Sequence, residues 1–389
     1  MRDATEILTE CFDPAVAALD RQAPAAERAR VFHSFACFAD AQFEDLSRVA
    51  AERRKRTEAY QRRKHLEHEE MQRRAGEGSP FDSNHADRSR RQAEQHIADD
   101  QRQVEEAEDT ARNMLWRSLE NYARTLEAAD DFDDKVFRFC ALWLGCAHDD
   151  DLHTRLKPLL NDVPSFKFVF LAYQLSARLT KSADSPPPSA SNVRKLVLRL
   201  CVEHGLHALF PVQALRAPPS GKSSRRSSQS SQSSVGFTQA SNNSRAHAAD
   251  DIVDKVKAIG ELRARVEAVE LACEAYAEWA SFNLKSSKSG YLDSRGSVRK
   301  GPLPIKSSMH ILSKVRDLPI PVTTFHLPVV ANGRYDDFPR LHHYEPTFDM
   351  AGGIHLPKIV VCVDSNGGRH KQLVRLLVLL SLAGSHVPL

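Results

Sequence analysis

The chain has 389 residues, of which 41% are hydrophobic and 27% charged, so it is long enough to form two or three domains with buried cores. Its formal net charge is only +3, which excludes a global basic excess that would require a nucleic-acid partner. Seven scattered cysteines, none in a C-x-x-C pair, are typical of reduced thiols in the cytosol or nucleus. No apolar run approaches the roughly 20 residues of a membrane span.

The first part of the chain is patterned for helices. Apolar residues group on one face over residues 5–47, which predicts two short packed helices. A basic stretch at 46–72 and a more acidic stretch at 87–128 follow, separated by the helix breaker Gly-Glu-Gly-Ser-Pro. Two long helices of opposite charge bias predict an antiparallel helical hairpin over about residues 46–128.

A dense basic run lies on the first arm of this predicted hairpin. It consists of Arg53, Arg54, Lys55, Arg56, Arg62, Arg63 and Lys64. Such a run can neutralise phosphates, but helix surfaces carry this charge routinely, so we favour a solvated or acid-paired face and expect no direct nucleic-acid binding. His65 and His68 lie three residues apart without a further ligand cluster nearby, which favours a surface pair over a metal site.

Three apolar segments between residues 132 and 215 have wide helical faces. They read VFRFCALWL (Val136–Leu144), PSFKFVFLAYQLSARL (Pro164–Leu179) and VRKLVLRLCVEHGLHALF (Val193–Phe210). Prolines lie in their connections, so the spacing predicts stacked helix pairs that resemble an α-solenoid, although no clean repeat is found. The fold class predicted for residues 1–215 is therefore mainly α.

A Ser/Gln-rich insert follows at residues 216–250. Ser, Gln and Arg dominate it, and it has too few apolar residues to offset the entropy of ordering, so we predict disorder. Helical patterning returns at Asp251 and continues to about Leu284. Residues 251–290 are thus predicted to form a final helix and a linker.

The last part of the chain changes to a β pattern. The runs PIPVTTFHLPVV (Pro319–Val330) and KIVVCVD (Lys358–Asp364) are rich in β-branched residues and predict strands. Ser-Asn-Gly-Gly at 365–368 separates the second run from HKQLV, which predicts a β-hairpin. The fold therefore ends in a small β-rich region over residues 318–375.

A glycine pair lies between the predicted strands Phe348–Met350 and Lys358–Asp364, in the segment AGGIHLP (Ala351–Pro357). Glycines permit positive φ angles and close backbone approach, which a loop over nucleotide phosphates needs. A plain hairpin turn would use the same residues. Spacing alone leaves both interpretations open.

The wider segment YEPTFDMAGGIHLPKIVVCVDSNGGRHKQLV (Tyr344–Val374) closely resembles the start of the kinase N-lobe in the ATM and Tel branch of the phosphatidylinositol-3-kinase-related protein kinases. Upstream, Val136–Leu144, Pro164–Leu179 and the stretch ending HALFPVQAL resemble the C-terminal part of that family's FAT domain, in the same order. The resemblance covers most of residues 30–374. It implies TPR-like FAT helices over 1–215.

The same resemblance divides the rest of the chain. It implies a final FAT-type helix and linker over 251–290 and a partial PI3K/PI4K-like kinase N-lobe over 318–375. An apolar tail at 376–389 has no counterpart in the family.

The function implied by the resemblance is that of a nuclear Ser/Thr kinase. It phosphorylates Ser-Gln and Thr-Gln sites in DNA double-strand-break signalling and telomere maintenance, uses ATP with Mg²⁺, acts with protein partners of DNA-damage signalling and forms a homodimer. The loop that covers the ATP phosphates corresponds to Met350, Ala351, Gly352, Gly353, Ile354 and His355.

The chain departs from the family pattern after Val374. The family places the ATP-contacting lysine there, followed by Gly-Arg-Asp-Asp-Leu-Arg-Gln-Asp, whereas this chain has Arg375, and a guanidinium fork is a poor substitute for a compact ammonium. The catalytic and activation loops that supply the base and the Mg²⁺ ligands have no counterpart either. We therefore expect a truncated kinase whose partner, the rest of the kinase domain, is missing.

A fragment of this kind is expected to be inactive. It would have no catalytic or metal-binding residues and would bind neither ATP nor Mg²⁺ productively. The alternative function is a non-catalytic helical scaffold that binds other proteins.

The Ser/Gln-rich insert contains three sites that fit the family's substrate preference, Ser228-Gln229, Ser231-Gln232 and Thr238-Gln239. Autophosphorylation at Ser228, Ser231 and Thr238 would add about −1.5 to −2 charge each beside Arg225 and Arg226. A Ser/Gln-rich composition also produces such pairs by chance. Both explanations remain open from the sequence.

Overall fold

The structure is a computed structural model, and it is mainly helical with a small antiparallel sheet, which confirms the predicted fold class. It describes residues 4–19, 23–76, 83–180, 187–216, 236–286, 289–299, 301–351 and 357–374. The chain divides into two compact units, Met1–Val163 and Pro164–Leu389.

The first unit is helical throughout its described residues. Its helices are α1 (Ala4–Ile7), α2 (Asp13–Ala17), α3 (Ala25–Gly76), α4 (Ser83–Ala128), α5 (Lys135–Gly145) and α6 (Asp150–Asp162), and a π-helical stretch, Leu8–Phe12, joins α1 to α2. Helices α3 and α4 pack against each other as an antiparallel pair, because Asp40 contacts Tyr122 while the later Arg54 contacts the earlier Glu108. The predicted helical hairpin is therefore present.

The hairpin differs from the prediction at its start. Residues 25–76 form one helix of 52 residues, whereas the sequence pattern had divided this stretch near residue 46. The physical reason is that the stretch contains no proline and its first glycine is Gly76, so the backbone has no cause to break. The end of the hairpin at Ala128 agrees with the prediction.

The core of the first unit lies at the base of the hairpin. Leu8, Phe35, Ala39 and Met114 form a buried cluster, with Phe12, Val16, Phe38, Phe43 and Leu46 packed against it. Among the described side chains of α3 beyond Ala50, only Thr57 is buried. On the outer part of α4, Val104 is buried. The outer hairpin is thus a thin two-helix arm with little core.

The helices of the second unit pack around α9. They are a 3-10 stretch at Ser165–Leu171, α7 (Ala172–Ser176), α8 (Pro188–Glu203), α9 (Gly205–Gln213), α10 (Gly236–Lys257), α11 (Gly260–Ser281) and α12 (His310–Ser313). Helix α9 contacts α7, α8, α10 and α11. This arrangement buries most apolar residues of the predicted segments Pro164–Leu179 and Val193–Phe210, whereas Phe170 and Tyr173 are exposed.

The predicted disordered insert at 216–250 is partly wrong. Residues 217–235 lie outside the described structure, but α10 begins at Gly236, well before Asp251. Ala246, Ala248 and Ala249 are buried, so small side chains allow this polar stretch to pack closely against its neighbours. The predicted single helix after Asp251 is also divided, since α10 and α11 are separate helices.

The sheet of the second unit is antiparallel. Its strands are β1 (Leu303–Pro304), β2 (Leu318–Pro321), β3 (Arg340–Met350), β4 (Lys358–Asp364) and β5 (Arg369–Val374). The order is β1-β3-β4-β5, and β2 also pairs with β3. Strand β1 shows that the sheet begins before residue 318, where the sequence had placed the start of the β-rich region.

Two strand predictions need correction. The run predicted as a strand over residues 319–330 is a strand only to Pro321, and turns and Pro328 interrupt the remainder. Strand β3 is much longer than the predicted Phe348–Met350. The sequence pattern did not predict this length because Pro346 argues against a strand. In the structure Pro346 lies where the pairing with β4 shifts register, and proline is tolerated at such irregularities.

The loop between β2 and β3 is anchored to the helices of the same unit. Gly333 has φ +67°, and a Cβ at this position would lie 2.6 Å from the Glu203 carbonyl oxygen. The Tyr335 hydroxyl lies 2.9 Å from His204 Nδ1, and His204 Nε2 lies 3.0 Å from the Ser165 hydroxyl. Burial lowers the pKa of His204 to about 4, so the ring is neutral in this contact.

Candidate nucleotide-binding loop and its support

Strands β3 and β4 present the candidate loop. The Cα atoms of Met350 and Lys358 are cross-strand partners, and the Ala351 N–H donates to the Pro357 carbonyl at 2.9 Å. Residues 352–356 therefore connect two strand ends that lie side by side. A connection of this kind can direct successive backbone N–H groups toward a bound anion.

Helix α11 supports this hairpin from one face of the sheet. The Tyr276 hydroxyl contacts the Tyr344 hydroxyl on β3, and the Tyr344 hydroxyl donates to Gln372 Oε1 on β5 at 2.8 Å. Tyr276 also donates to Gln372 Oε1, at 3.2 Å. Burial raises the pKa of both tyrosines, so their hydroxyls remain neutral donors that join the helix to two strands.

Lys358 begins strand β4 and points to the same face as Val360 and Cys362, which alternate with half-exposed residues. Its ammonium donates to the carbonyl oxygens of Trp279, at 2.8 Å, and of Ala280, at 3.2 Å. Burial lowers the pKa of Lys358 to about 8. A lysine side chain therefore links the exit of the candidate loop directly to α11.

An aromatic cluster fills the space beside this lysine. Trp279 is fully buried and meets Phe348 edge to face, with ring centroids 4.9 Å apart. Tyr291 meets Phe348 at 5.6 Å, and Phe282 stacks on Trp279 at 6.0 Å. Because such packing leaves few rotamer alternatives, it fixes the end of α11 against β3.

The turn between β4 and β5 confirms the predicted hairpin. The Asp364 carboxylate accepts from the backbone N–H groups of Asn366, at 2.9 Å, and Gly368, at 2.8 Å. A hydrogen bond from His370 lowers the pKa of Asp364. Gly367 has φ +82°, a conformation that glycine adopts without strain.

Comparison with known proteins gives a consistent result. The chain is 28% identical to the serine/threonine-protein kinase tel1 of Neurospora crassa over 373 residues, which cover 94% of this chain and 12% of the relative. It is 28% identical to the serine-protein kinase ATM of Sus scrofa over 273 residues, 68% of this chain and 8% of that protein.

Solved structures agree with these relatives. The open conformation of CtTel1 superposes with a TM-score of 0.71 at 25% identity, covering 96% of this chain and 13% of that one. The complete CtTel1 dimer with C2 symmetry gives a TM-score of 0.69 at 25% identity, covering 96% of this chain and 12% of that one. The chain is homologous to the Tel1 and ATM protein kinases.

No protein-family model matches the chain. The homology to Tel1 and ATM rests on similarity along most of this chain, and the chain spans about an eighth or less of the length of these relatives.

The structure places only some of the residues predicted from the Tel1/ATM resemblance. Met350 ends strand β3 and Ala351 follows it, at the base of the loop. The other four loop positions, Gly352, Gly353, Ile354 and His355, lie outside the described residues, and nucleotide contact at all six positions stays a prediction.

The remaining predicted positions also stay untested. Ser228 and Ser231 lie outside the described residues, as do Arg375 and the tail 376–389. Thr238 falls within α10, but its side chain is not among those described.

Four of the seven residues in the basic run on α3, Arg54, Arg62, Arg63 and Lys64, pair with acidic side chains. Arg54 contacts Glu108 on the opposite helix, Arg63 Nε donates to Glu67 at 2.9 Å, and Lys64 Nζ lies 3.1 Å from the same carboxylate. For these four residues the acid-paired interpretation is confirmed. His65 contacts Glu69, at 3.4 Å.

Two negative findings apply to the described residues. No group of three or more His, Cys, Asp or Glu side chains among them could hold a metal ion. Within the same residues, no helix combines the length and apolar character needed to cross a membrane.

Sequence reasoning missed the residues that support the loop. Lys358 was read as part of an apolar strand, although it is in phase with Val360 and Cys362 and its inward direction follows from alternation. Tyr276 and Gln372 gave no signal, because their contact joins residues 96 positions apart.

Proposed function

We propose that this chain is part of a Ser/Thr protein kinase of the Tel1/ATM type. Residues 1–215 and 251–290 supply FAT-type helical scaffold, and residues 318–375 supply the first strands of the kinase N-lobe. The β3–β4 hairpin supports this proposal most directly, because its paired strand ends, which contact α11, flank the glycine-containing segment 352–356.

The chemistry assigned to the connection is phosphate binding. Residues 350–355 cover the phosphates of ATP, which the kinase uses together with Mg²⁺, and their backbone N–H groups are suited to oxyanions. Transfer of the γ-phosphoryl group requires a positioning carboxylate and Mg²⁺ ligands, which we assign to the part of the kinase domain that follows the N-lobe strands.

The biological role proposed for the kinase is phosphorylation of Ser-Gln and Thr-Gln sites in nuclear DNA double-strand-break signalling and telomere maintenance. Ser228, Ser231 and Thr238 are proposed as its own phosphorylation sites. Homology to CtTel1, whose structure is described as a dimer with C2 symmetry, supports a homodimer.

The first test concerns the transcript. Sequencing the messenger RNA across the codons for residues 373–389 and on to its 3′ end should show an in-frame continuation that encodes Lys-Gly-Arg-Asp-Asp and the catalytic loops. A stop codon directly after Leu389 in every transcript would instead favour a non-catalytic helical scaffold.

The second test concerns activity. The endogenous product, purified with an antibody to α3, should transfer phosphate to a Ser-Gln peptide in the presence of Mg²⁺ and ATP. A peptide with Gln replaced by Ala is the matched control. Transfer to neither peptide would contradict the proposed activity. Equal transfer to both peptides would contradict the proposed specificity.

A further inference from the structure

Lys358 occupies a particular position relative to the candidate loop. It is the first residue of β4, and its backbone is paired with Met350 on one side and Val374 on the other. Its side chain is only 4% exposed. Two residues therefore separate His355, the last loop position, from a lysine whose side chain is buried on the face of the sheet that contacts α11.

The ammonium group is satisfied in an unusual way. Within the described part of the chain it forms no ion pair with a carboxylate, and its hydrogen bonds go to the carbonyl oxygens of Trp279 and Ala280. It also lies 5.5 Å from the centroid of the Trp279 ring. A buried cation with these partners depends on carbonyl dipoles and on the ring face instead of an opposite charge.

Those two carbonyls belong to the last turn of α11, which ends at Ser281. The final carbonyls of a helix have no partner within the helix, and the helix dipole places partial negative charge there. Lys358 thus donates to the Ala280 carbonyl, adds a donor to the Trp279 carbonyl, which also accepts from the Phe282 N–H, and offsets the partial negative charge at the end of α11. This interaction requires β4 and the helix end to keep a fixed separation.

The remaining contacts of α11 make it a rigid support. The Tyr276 hydroxyl bridges to β3 and β5, and the Glu278 carboxylate accepts from the His310 backbone N–H at 2.7 Å. Lys358 is the contact with α11 that lies nearest to the loop on its C-terminal side, as Phe348, whose ring meets Trp279, is on its N-terminal side. A displacement of the C-terminal end of α11 would therefore be transmitted to the loop through β4.

We propose that Lys358 is a positioning residue for a nucleoside triphosphate. Its hydrogen bonds to the C-terminal carbonyls of α11 fix the position of β4, which follows the loop 350–355. Affinity for ATP would therefore depend on the position of α11 relative to β4. This inference rests on the proposed kinase function and adds a residue that touches neither the nucleotide nor the transferred phosphoryl group.

The expected consequence is an effect on nucleotide affinity. A misplacement of about 1 Å in a binding group can cost up to about 100-fold in rate. Because the loop also binds the nucleotide through its own backbone, a smaller change is expected for the loss of Lys358. In the full kinase, Lys358→Met should raise KM for ATP about tenfold and change kcat less than about twofold.

Two further variants make the test specific. Lys358→Arg retains a cation that can donate to both carbonyls, but its guanidinium is larger than an ammonium, so its KM should lie between those of the unsubstituted kinase and Lys358→Met. Lys371→Met is the matched control, because Lys371 is an exposed lysine on the neighbouring strand β5, and it should leave KM unchanged.

The outcomes separate this inference from the proposed function. If the unsubstituted kinase neither binds nor uses ATP, both fail. If it uses ATP and Lys358→Met has the same KM, or loses thermal stability and kcat with KM unchanged, the positioning role alone is overturned.

A measurement on the unsubstituted kinase covers the case in which Lys358→Met does not fold. Addition of ATP should slow hydrogen exchange at the Phe282 N–H, which donates to the Trp279 carbonyl at 3.4 Å, together with the N–H groups of residues 358–360. Slower exchange at residues 358–360 without any change at Phe282 would show that the loop is not coupled to α11, and it would overturn the inference.

Discussion

The two units of the molecule use buried polar groups in different ways. In the first unit, Arg138 donates to both oxygens of Asp40, at 2.7 and 2.6 Å, and Tyr122 donates to the same carboxylate at 3.0 Å. In the second unit, contacts between helix and sheet are made by neutral hydroxyls, an amide, and a lysine on carbonyl oxygens.

This difference has a physical consequence. A bidentate Arg–carboxylate pair balances its own charge, and its hydrogen bond to Asp40 raises the pKa of Arg138 further. Lys358 lacks such a counter-charge among the described residues, and burial lowers its pKa to about 8. The helical unit is therefore joined by a fixed ion pair, whereas the helix–sheet junction depends on groups whose geometry and protonation can change.

The largest expected effect is that of Arg138→Met. Removal of the guanidinium leaves Asp40 buried with Tyr122 as its remaining donor, which should lower the free energy of unfolding by about 2–3 kcal/mol, less than for a fully buried pair because the Arg138 side chain is partly exposed. Urea denaturation of the whole chain measures the loss, and hydrogen exchange in α5 locates it.

Arg48→Met is the control for this variant. Arg48 pairs with Asp45 on the surface of α3, and both side chains are mostly exposed, so the loss should stay below about 0.5 kcal/mol. Equal destabilisation by the two substitutions would remove the distinction between buried and surface ion pairs in the first unit.

Tyr344→Phe should have the next largest effect. It removes a buried hydroxyl but leaves the Tyr276 hydroxyl as a donor to Gln372 Oε1, so we expect a loss of about 1–2 kcal/mol in the second unit. Tyr173→Phe, at a side chain that is 67% exposed, is the matched control and should change stability little. Indistinguishable thermal denaturation of the two variants would show that the hydroxyl network does not contribute to stability.

A pH titration of stability should reveal His204. Its pKa is about 4 in the folded protein and about 6.5 when unfolded, so between these values the unfolded chain binds more protons and stability falls as pH falls. This difference in His204 protonation should lower the free energy of unfolding by about 1 kcal/mol at pH 5, after allowance for solvent screening.

Two histidine variants test this assignment through the slope of stability against pH between 7 and 5. His204→Asn should flatten the slope, while His148→Asn, at an exposed position, should leave it unchanged. A slope that survives in His204→Asn would assign the titration to other groups, such as His207, whose pKa burial also lowers.

The smallest effect is expected for Arg54→Met on the hairpin arm. The Arg54–Glu108 pair joins α3 to α4, but its side chains are 59% and 37% exposed, so its removal should cost less than about 0.5 kcal/mol. Addition of salt should weaken this pair further in the unsubstituted chain. A cost above about 1 kcal/mol in a denaturant titration would mean that the arm depends on this contact for its pairing.

Local signals explain which features could be predicted from the sequence. Ala128 ends the hairpin where the helical pattern ends, and Gly367 marks the β4–β5 turn because the φ +82° found there suits glycine. The start of the hairpin was placed incorrectly because the change from an apolar-faced stretch to a basic stretch near residue 46 was taken as a helix boundary, although no residue between 25 and 75 favours a break.

Contacts between distant residues explain what could not be predicted. Helix α10 extends into the Ser/Gln-rich insert because Ala249 packs into a core supplied by other helices, which propensity does not report. The direction of Lys358 follows from strand alternation, but its partners lie 79 and 78 residues earlier in the chain. Support for the candidate loop is therefore a property of tertiary packing.

The long helix α3 has a mechanical consequence. From Phe35, in the core of the first unit, to Gly76 the helix extends about 62 Å at 1.5 Å per residue. A tilt of about 5° at the Phe35 layer would move the far end by roughly 5 Å over this length. Small rotations at the core would therefore produce large displacements at the tip of the arm. A molecule bound to the tip would exert torque on its base.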